Sequence, residues 1–222
     1  MKKIVTILVF ITSIGYMSAQ KYVEVLKKGV CNCIEENQPN INFNNMMTVC
    51  FGPQMLEDLI SDARKKGELE MSLDSIQKLD YLSNEKLGMR IISDLIIECD
   101  AMFKVLDDMR EMMRTEKRAQ KSKQHLDSIN KLELTEKSEL FERGMLNFSY
   151  DELDKGIQDL KASLNDSKDD GKTYFAIGWS YEKKKEYKKA LEFYDKATEI
   201  IGEAEVRLFI NAVAAKIKQE EQ

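Results

Sequence analysis

The stretch "YFAIGW", Tyr174–Trp179, decides the fold. It lies in a segment of helical character, yet it puts bulky apolar side chains at nearly every angle around the helix axis. A helix that is apolar all round has to be covered on more than one side. Sliding residues 137–170 onto 171–204 supplies one of the covers. Gly144 falls on Gly178, Leu153 on Tyr187, Gly156 on Ala190, Leu160 on Tyr194 and Ser163 on Ala197, a period of 34 residues. Closely packed antiparallel helices need small residues where backbones approach, here Gly178, Ala190 and Ala197. They also need large ones beside them, here Tyr174, Ile177, Tyr181 and Tyr194.

The pattern Tyr174-x-x-Ile177-Gly178-x-x-Tyr181, followed by Ala190-x-x-x-Tyr194 and Ala197, resembles the tetratricopeptide repeat. Tyr replaces the usual Trp, and Gly202 stands where a Pro is common. The resemblance covers about residues 137–222 and divides them into a unit at 137–170, a unit at 171–204 and a closing helix at 205–220. The first unit is more degenerate, with Arg143 and Asn147 at apolar positions, and its Ser149-x-x-Glu152 reads as a capping box. Leu208, Ala212 and Ala215 take the equivalent places in the closing helix.

Such a resemblance implies an array whose first helices line a concave surface and which binds protein or peptide without catalysis. Phe141, Phe175 and Phe209 stand 34 residues apart at one position facing that surface, Met145, Trp179 and Val213 at another, and Phe148 extends the first row. A residue and its fourth neighbour share a helix face, so these seven residues are expected to form an apolar groove. The family's clamp of Lys and Asn for peptide carboxylates is absent at these places. Two occupants are open: part of the amino-terminal bundle or the helix leading out of it, in cis, or a helix or extended segment of a partner.

Outward from the repeats, residues 114–125, RTEKRAQKSKQH, carry only Ala119 as an apolar side chain, and 114–136 reads as a polar helical linker. Its basic residues read as a solvated helix end, with a patch for anionic lipid or glycan as the alternative. His125, the single histidine, is expected at the surface. Asp74-Ser75-Ile76 and Asp127-Ser128-Ile129 are short acceptor-like motifs for O-glycosylation.

Residues 20–113 are expected to form a helical bundle. A first helix over 20–36 ends in the Asn-rich NQPNINFNN, and a second segment holds Cys50 and breaks at Gly52-Pro53. A short helix over Leu73–Leu82 follows, and then a long amphipathic segment from Ile91 to Met113 with Cys99 on its apolar face. Cys31 and Cys33 lie about 200° apart around the first helix, on opposite flanks of the stripe Val23, Leu26, Val30 and Ile34. They should face different neighbours, one pairing with Cys50 and the other with Cys99, in an order that helical geometry leaves open. Two such bridges would stabilise the bundle by roughly 3 to 4 kcal/mol each. The competing readings are a zinc site, disfavoured by the C-x-C spacing, and a redox pair at Cys31 and Cys33, which lacks a C-x-x-C near a strand-helix-strand pattern.

The chain opens MKKIVTILVFITSIGYMSAQ, in which Lys2 and Lys3, an apolar run and small residues ending at Ala19 fit a secretory signal peptide over residues 1–19. Met17 departs from the small-x-small rule, so an uncleaved anchor is the alternative. The expected protein is exported and bacterial, periplasmic or extracellular, with no transmembrane segment in its mature chain. Loss of the leader moves the formal charge from −5 to −7, which argues against nucleic acid.

The fold class is therefore all-α: an amino-terminal disulfide-bonded helical bundle, then a short tetratricopeptide-like hairpin array with a closing helix. With no nucleotide loop, nucleophile elbow or His-carboxylate set, the reading is a non-enzymatic interaction or scaffold protein of the cell envelope without cofactor or metal. A thiol/disulfide factor, or a carrier of small apolar ligands in the Met-rich bundle, are the alternatives.

Overall fold

A computed structural model describes residues 20–69, 85–164 and 170–221. The leader, the helix expected at 73–82 and the motif at Asp74 lie outside the described residues. Among those residues there are eleven helices and no strand. They fall into two compact units, up to Val105 and from Leu106.

In the first unit, α1 spans residues 20–36, α2 is Phe43–Val49, α3 is Pro53–Lys65 and α4 is Glu85–Glu98. The Asn-rich segment starts α2 through a capping box: the Asn42 side chain accepts the Asn45 N–H at 3.1 Å, and the Asn45 side chain accepts the Asn42 N–H at 2.7 Å. Pro53 occupies the first turn of α3 as expected, and Gly67, at φ 70°, follows its end. The buried stripe of α1 is Tyr22, Leu26, Val30 and Ile34, so Tyr22 replaces the expected Val23 at its start. Met46, Cys50, Leu95, Ile96, Cys99 and Met102 are also core residues. Cys31 bonds Cys99 and Cys33 bonds Cys50, which resolves the order that helical geometry had left open.

The long amphipathic segment is two helices meeting at Cys99, α4 and α5 (Asp100–Gln120). Cys99 N–H donates to Leu95 O at 2.9 Å and Phe103 N–H to Cys99 O at 3.0 Å, so the hydrogen-bond ladder continues across the junction. The apolar face expected to run on to Met113 does not: Met113 is half exposed. From Leu106 onward the buried positions are Leu106, Arg110 and Arg114.

The second unit takes α5 from Leu106, then α6 (Lys123–Ile129), α7 (Lys137–Ser149), α8 (Leu153–Leu164), α9 (Gly171–Lys183), α10 (Tyr187–Ile201) and α11 (Glu203–Glu220). α7 packs on α8, α8 on α9, α9 on α10 and α10 on α11. The two hairpins repeat in backbone detail. Asp151 and Lys185 adopt left-handed φ values of 63° and 61°, Glu152 N–H donates to Asn147 O at 3.0 Å, and Glu186 N–H donates to Tyr181 O at 3.0 Å. In each pair the second member stands 34 positions after the first.

Close approach explains the small residues. A Cβ on Gly144 would lie 3.1 Å from Gly156 O, and one on Gly178 3.2 Å from Ala190 O and 2.7 Å from the Tyr194 ring. The capping box expected at Ser149 does not form. Ser149 is the last residue of α7 and its hydroxyl donates back to Leu146 O at 2.7 Å, because the left-handed turn at Asp151 still has to follow before α8 begins.

Candidate functional site

The seven residues assigned to the groove meet in one apolar cluster of the second unit. Phe148, Trp179 and Val213 are buried in it, and Phe141, Met145, Phe175 and Phe209 pack against it partly buried. The rings converge: Phe175 lies 4.5 Å from Phe209, Trp179 5.2 Å from Phe209, and Phe148 5.1 Å from Trp179. Edge-on and tilted contacts at these separations add roughly 0.5 to 1.5 kcal/mol per pair beyond area burial. The repeat-packing residues belong to the same cluster, and Tyr194 reaches the groove rings, 5.6 Å from Phe175 and 6.1 Å from Phe209. Ile177, Tyr181, Ala190, Tyr194 and Ala197 are buried, and Tyr174 is partly so, 6.3 Å from Phe193.

Over this aromatic face lie the side chains of α5. The Arg110 guanidinium is 4.3 Å from the Phe209 ring centre and 5.6 Å from that of Trp179. Its Nη2 donates to Glu182 Oε2 at 2.5 Å. Arg110 and Glu182 are each 1% exposed, so neither charge is shared with bulk water. Tyr194 donates its hydroxyl to Glu182 Oε2 at 2.7 Å, and Lys216 reaches Glu182 Oε1 at 3.0 Å and Asp107 Oδ1 at 2.9 Å.

Burial opposes the Arg110 charge, but Glu182, with Tyr194 and Asp107, outweighs it and raises the guanidinium above its ordinary value. Burial pushes the Tyr194 hydroxyl well up, with Glu182 adding to the shift. Arg110 Nε is buried without a hydrogen-bond partner, and removing one partner of a buried pair costs several kcal/mol because the charge left behind is poorly compensated.

Arg114 is 5% exposed and caps the end of α7. Its Nη1 donates to Phe148 O at 2.8 Å and Ser149 O at 3.2 Å and pairs with Asp151 Oδ1 at 2.9 Å, with the guanidinium 5.5 Å from the Phe148 ring. These carbonyls are the negative end of the α7 dipole, which favours a cation there. Arg118 donates to Ser149 O and, at 2.8 Å, to Asp151 Oδ2, and lies 5.5 Å from the Tyr150 ring. Glu111, between the arginines, accepts from Arg114 and, at 2.9 Å, from Lys183.

The inward turn of Arg114 and Arg118 differs from the solvated basic segment expected of residues 114–125. They point inward because each finds a carbonyl, a carboxylate and a ring at the end of α7. His125 is exposed, its backbone N–H donating to Ser122 Oγ at 3.2 Å to cap α6.

The residues missed by sequence reading are Arg110, Glu182 and Lys216. Two regularities mark them. Leu106, Arg110, Arg114 and Arg118 recur every fourth residue, and Phe148, Glu182 and Lys216 occupy one position of the 34-residue period. In the first unit all four cysteines are in disulfides. Glu35 lies close to Cys31 and Cys99, but both sulfurs are bonded to each other, which leaves no thiolate to hold a metal.

The second unit is thus a stack of helical hairpins with an aromatic and acidic face. The tetratricopeptide repeat family model matches residues 171–203, the second hairpin and the turn after it. No curated protein and no solved structure matches the chain. A tetratricopeptide-type unit suggests a protein–protein interaction role.

Proposed function

We propose that this chain is a non-enzymatic interaction protein of the bacterial cell envelope, in which the face lined by α7, α9 and α11 receives a helix. In the resting chain that helix is its own α5. Arg110 carries the reading: its guanidinium is enclosed by Glu182, Phe209 and Trp179, as a ligand's anchoring side chain would be. Phe141, Met145, Phe148, Phe175, Trp179, Phe209 and Val213 form the apolar floor of the groove. Disulfides in the first unit suit an oxidising compartment. None of the described helices is long and apolar enough to cross a membrane.

Substitution Arg110→Ala in the full chain tests this reading. Loss of the guanidinium leaves buried Glu182 with only Lys216 and Tyr194, and urea unfolding should lose about 3 kcal/mol. Amides of residues 106–120 should exchange faster. Unchanged stability and exchange would mean that α5 does not occupy the face, leaving it open to a partner from the start.

A further inference from the structure

The floor of the groove is apolar, but its anchoring points are not, and they share one chemistry. Each of three successive points pairs an oxygen acceptor with an aromatic ring. Glu182 stands with Phe209 and Trp179 at Arg110; Phe148 O, Ser149 O and Asp151 stand with the Phe148 ring at Arg114; Ser149 O and Asp151 stand with Tyr150 at Arg118. A guanidinium is planar, so it can lie on a ring while its edge donates several hydrogen bonds. An ammonium is a compact point charge with no flat face, so although Lys123 meets both the Tyr150 ring and Glu152, at 5.6 and 2.9 Å, it matches a ring and a fork of acceptors less well than a guanidinium does. At the second point one guanidinium nitrogen reaches two carbonyls and a carboxylate, at 2.8, 3.2 and 2.9 Å.

Resting on the reading that this face receives a helix, we infer that it is an arginine-reading groove. Its partner is a helix bearing arginines at every fourth position, which displaces α5 by presenting the same side chains. Charge favours this occupant: Glu182 and Asp151 are the array's carboxylates at the three arginines of α5, while Asp107 and Glu111, which also pair with Arg110 and Arg114, belong to α5 itself. Lys216 neutralises part of Glu182 from within the array, so a single incoming guanidinium completes that site.

The test vacates the groove in the full chain with Arg110→Ala/Arg114→Ala and titrates it with two peptides of residues 106–120. One peptide is native and the other has lysine at 110, 114 and 118. The native peptide should bind at least tenfold more tightly than the lysine peptide, and adding Glu182→Gln to the protein should remove most of that preference. Should the alanine variant fail to fold, Arg110→Lys/Arg114→Lys keeps both charges in place. The native peptide should then displace its weakened α5 and raise its thermal midpoint, and the lysine peptide should not.

Equal binding of the two peptides, or a preference untouched by Glu182→Gln, would overturn arginine reading while leaving a helix-receiving groove intact. No binding of either peptide to a variant that melts cooperatively would overturn both.

Discussion

The two hairpins of the second unit share a backbone but not a core. At the positions where α9 and α10 carry Ile177, Tyr181 and Phe193, α7 and α8 carry Arg143, Asn147 and Asp159. In the second hairpin Tyr181 and Phe193 stack at 5.5 Å, with Lys161 and Lys196 over the Phe193 ring. In the first, Arg143 clasps Asp159 with two bonds of 2.8 and 2.7 Å, and Asn147 donates to Asp159 at 3.2 Å and exchanges two bonds of 3.0 Å with Asn130. Arg143 also caps the turn after α6 through Ile129 O at 3.2 Å and Leu132 O at 2.7 Å.

The same spacing of small residues thus accommodates two different interiors. The polar one has a use the aromatic one lacks, since it binds α6 and the segment after it to the array. This also accounts for a family match that covers the second hairpin and not the first.

The comparison breaks most sharply at Asp159, which is 8% exposed. Asp159→Ala leaves the Arg143 charge without its carboxylate, with only the Ile129 and Leu132 carbonyls as acceptors, and removing one partner of a buried pair costs about 3 to 5 kcal/mol. Urea unfolding should show that loss, and Arg143→Ala/Asp159→Ala should recover part of it. A small loss from the single variant would mean that water replaces the carboxylate and that the polar interior is incidental.

The corresponding change in the second hairpin, Phe193→Ala, removes a partly buried ring from a stack. Its cost should be smaller, about 2 kcal/mol, from lost area and one aromatic pair. If Phe193→Ala cost more than Asp159→Ala, the polar network would contribute less to the fold than the stack.

What the sequence made legible follows the same division. The 34-residue register, the small residues at Gly178, Ala190 and Ala197 and the convergence of Phe175, Trp179 and Phe209 all depend on local spacing, which periodicity reports directly. Segregation of Cys31 and Cys33 onto different partners was equally a matter of helix angle. Which partner each takes was not, because that depends on how α2 and α4 pack against α1.

The arginines of α5 were missed for a related reason. An arginine every fourth residue looks solvated until its acceptor is known, and the acceptor of Arg110 lies 72 residues further along, at Glu182. Arg143 and Asn147 looked like degeneration of a repeat, when they form a complete network with Asp159.

The difference between the hairpins reaches α5 as well, and pH can sharpen it. Arg114 caps the first hairpin at Ser149, whereas the second hairpin presents Lys183 at the same register, and Glu111 joins the two. Hydrogen bonding from Arg114, helped by Lys183 and opposed by burial, holds the Glu111 carboxyl down to about 2. The folded value lies below the unfolded one, so the stabilisation is fully present above about pH 4.5 and fades as pH falls towards 2.

Since Glu111 is 43% exposed, solvent screening limits the effect to about 1 kcal/mol or less. Thermal midpoints of the wild type and Glu111→Gln should therefore differ near neutral pH, with the wild type higher, and converge on acidification. A gap that stays constant down to about pH 2 would show that Glu111 acts through packing rather than charge. Arg114 would then be held by the first hairpin alone.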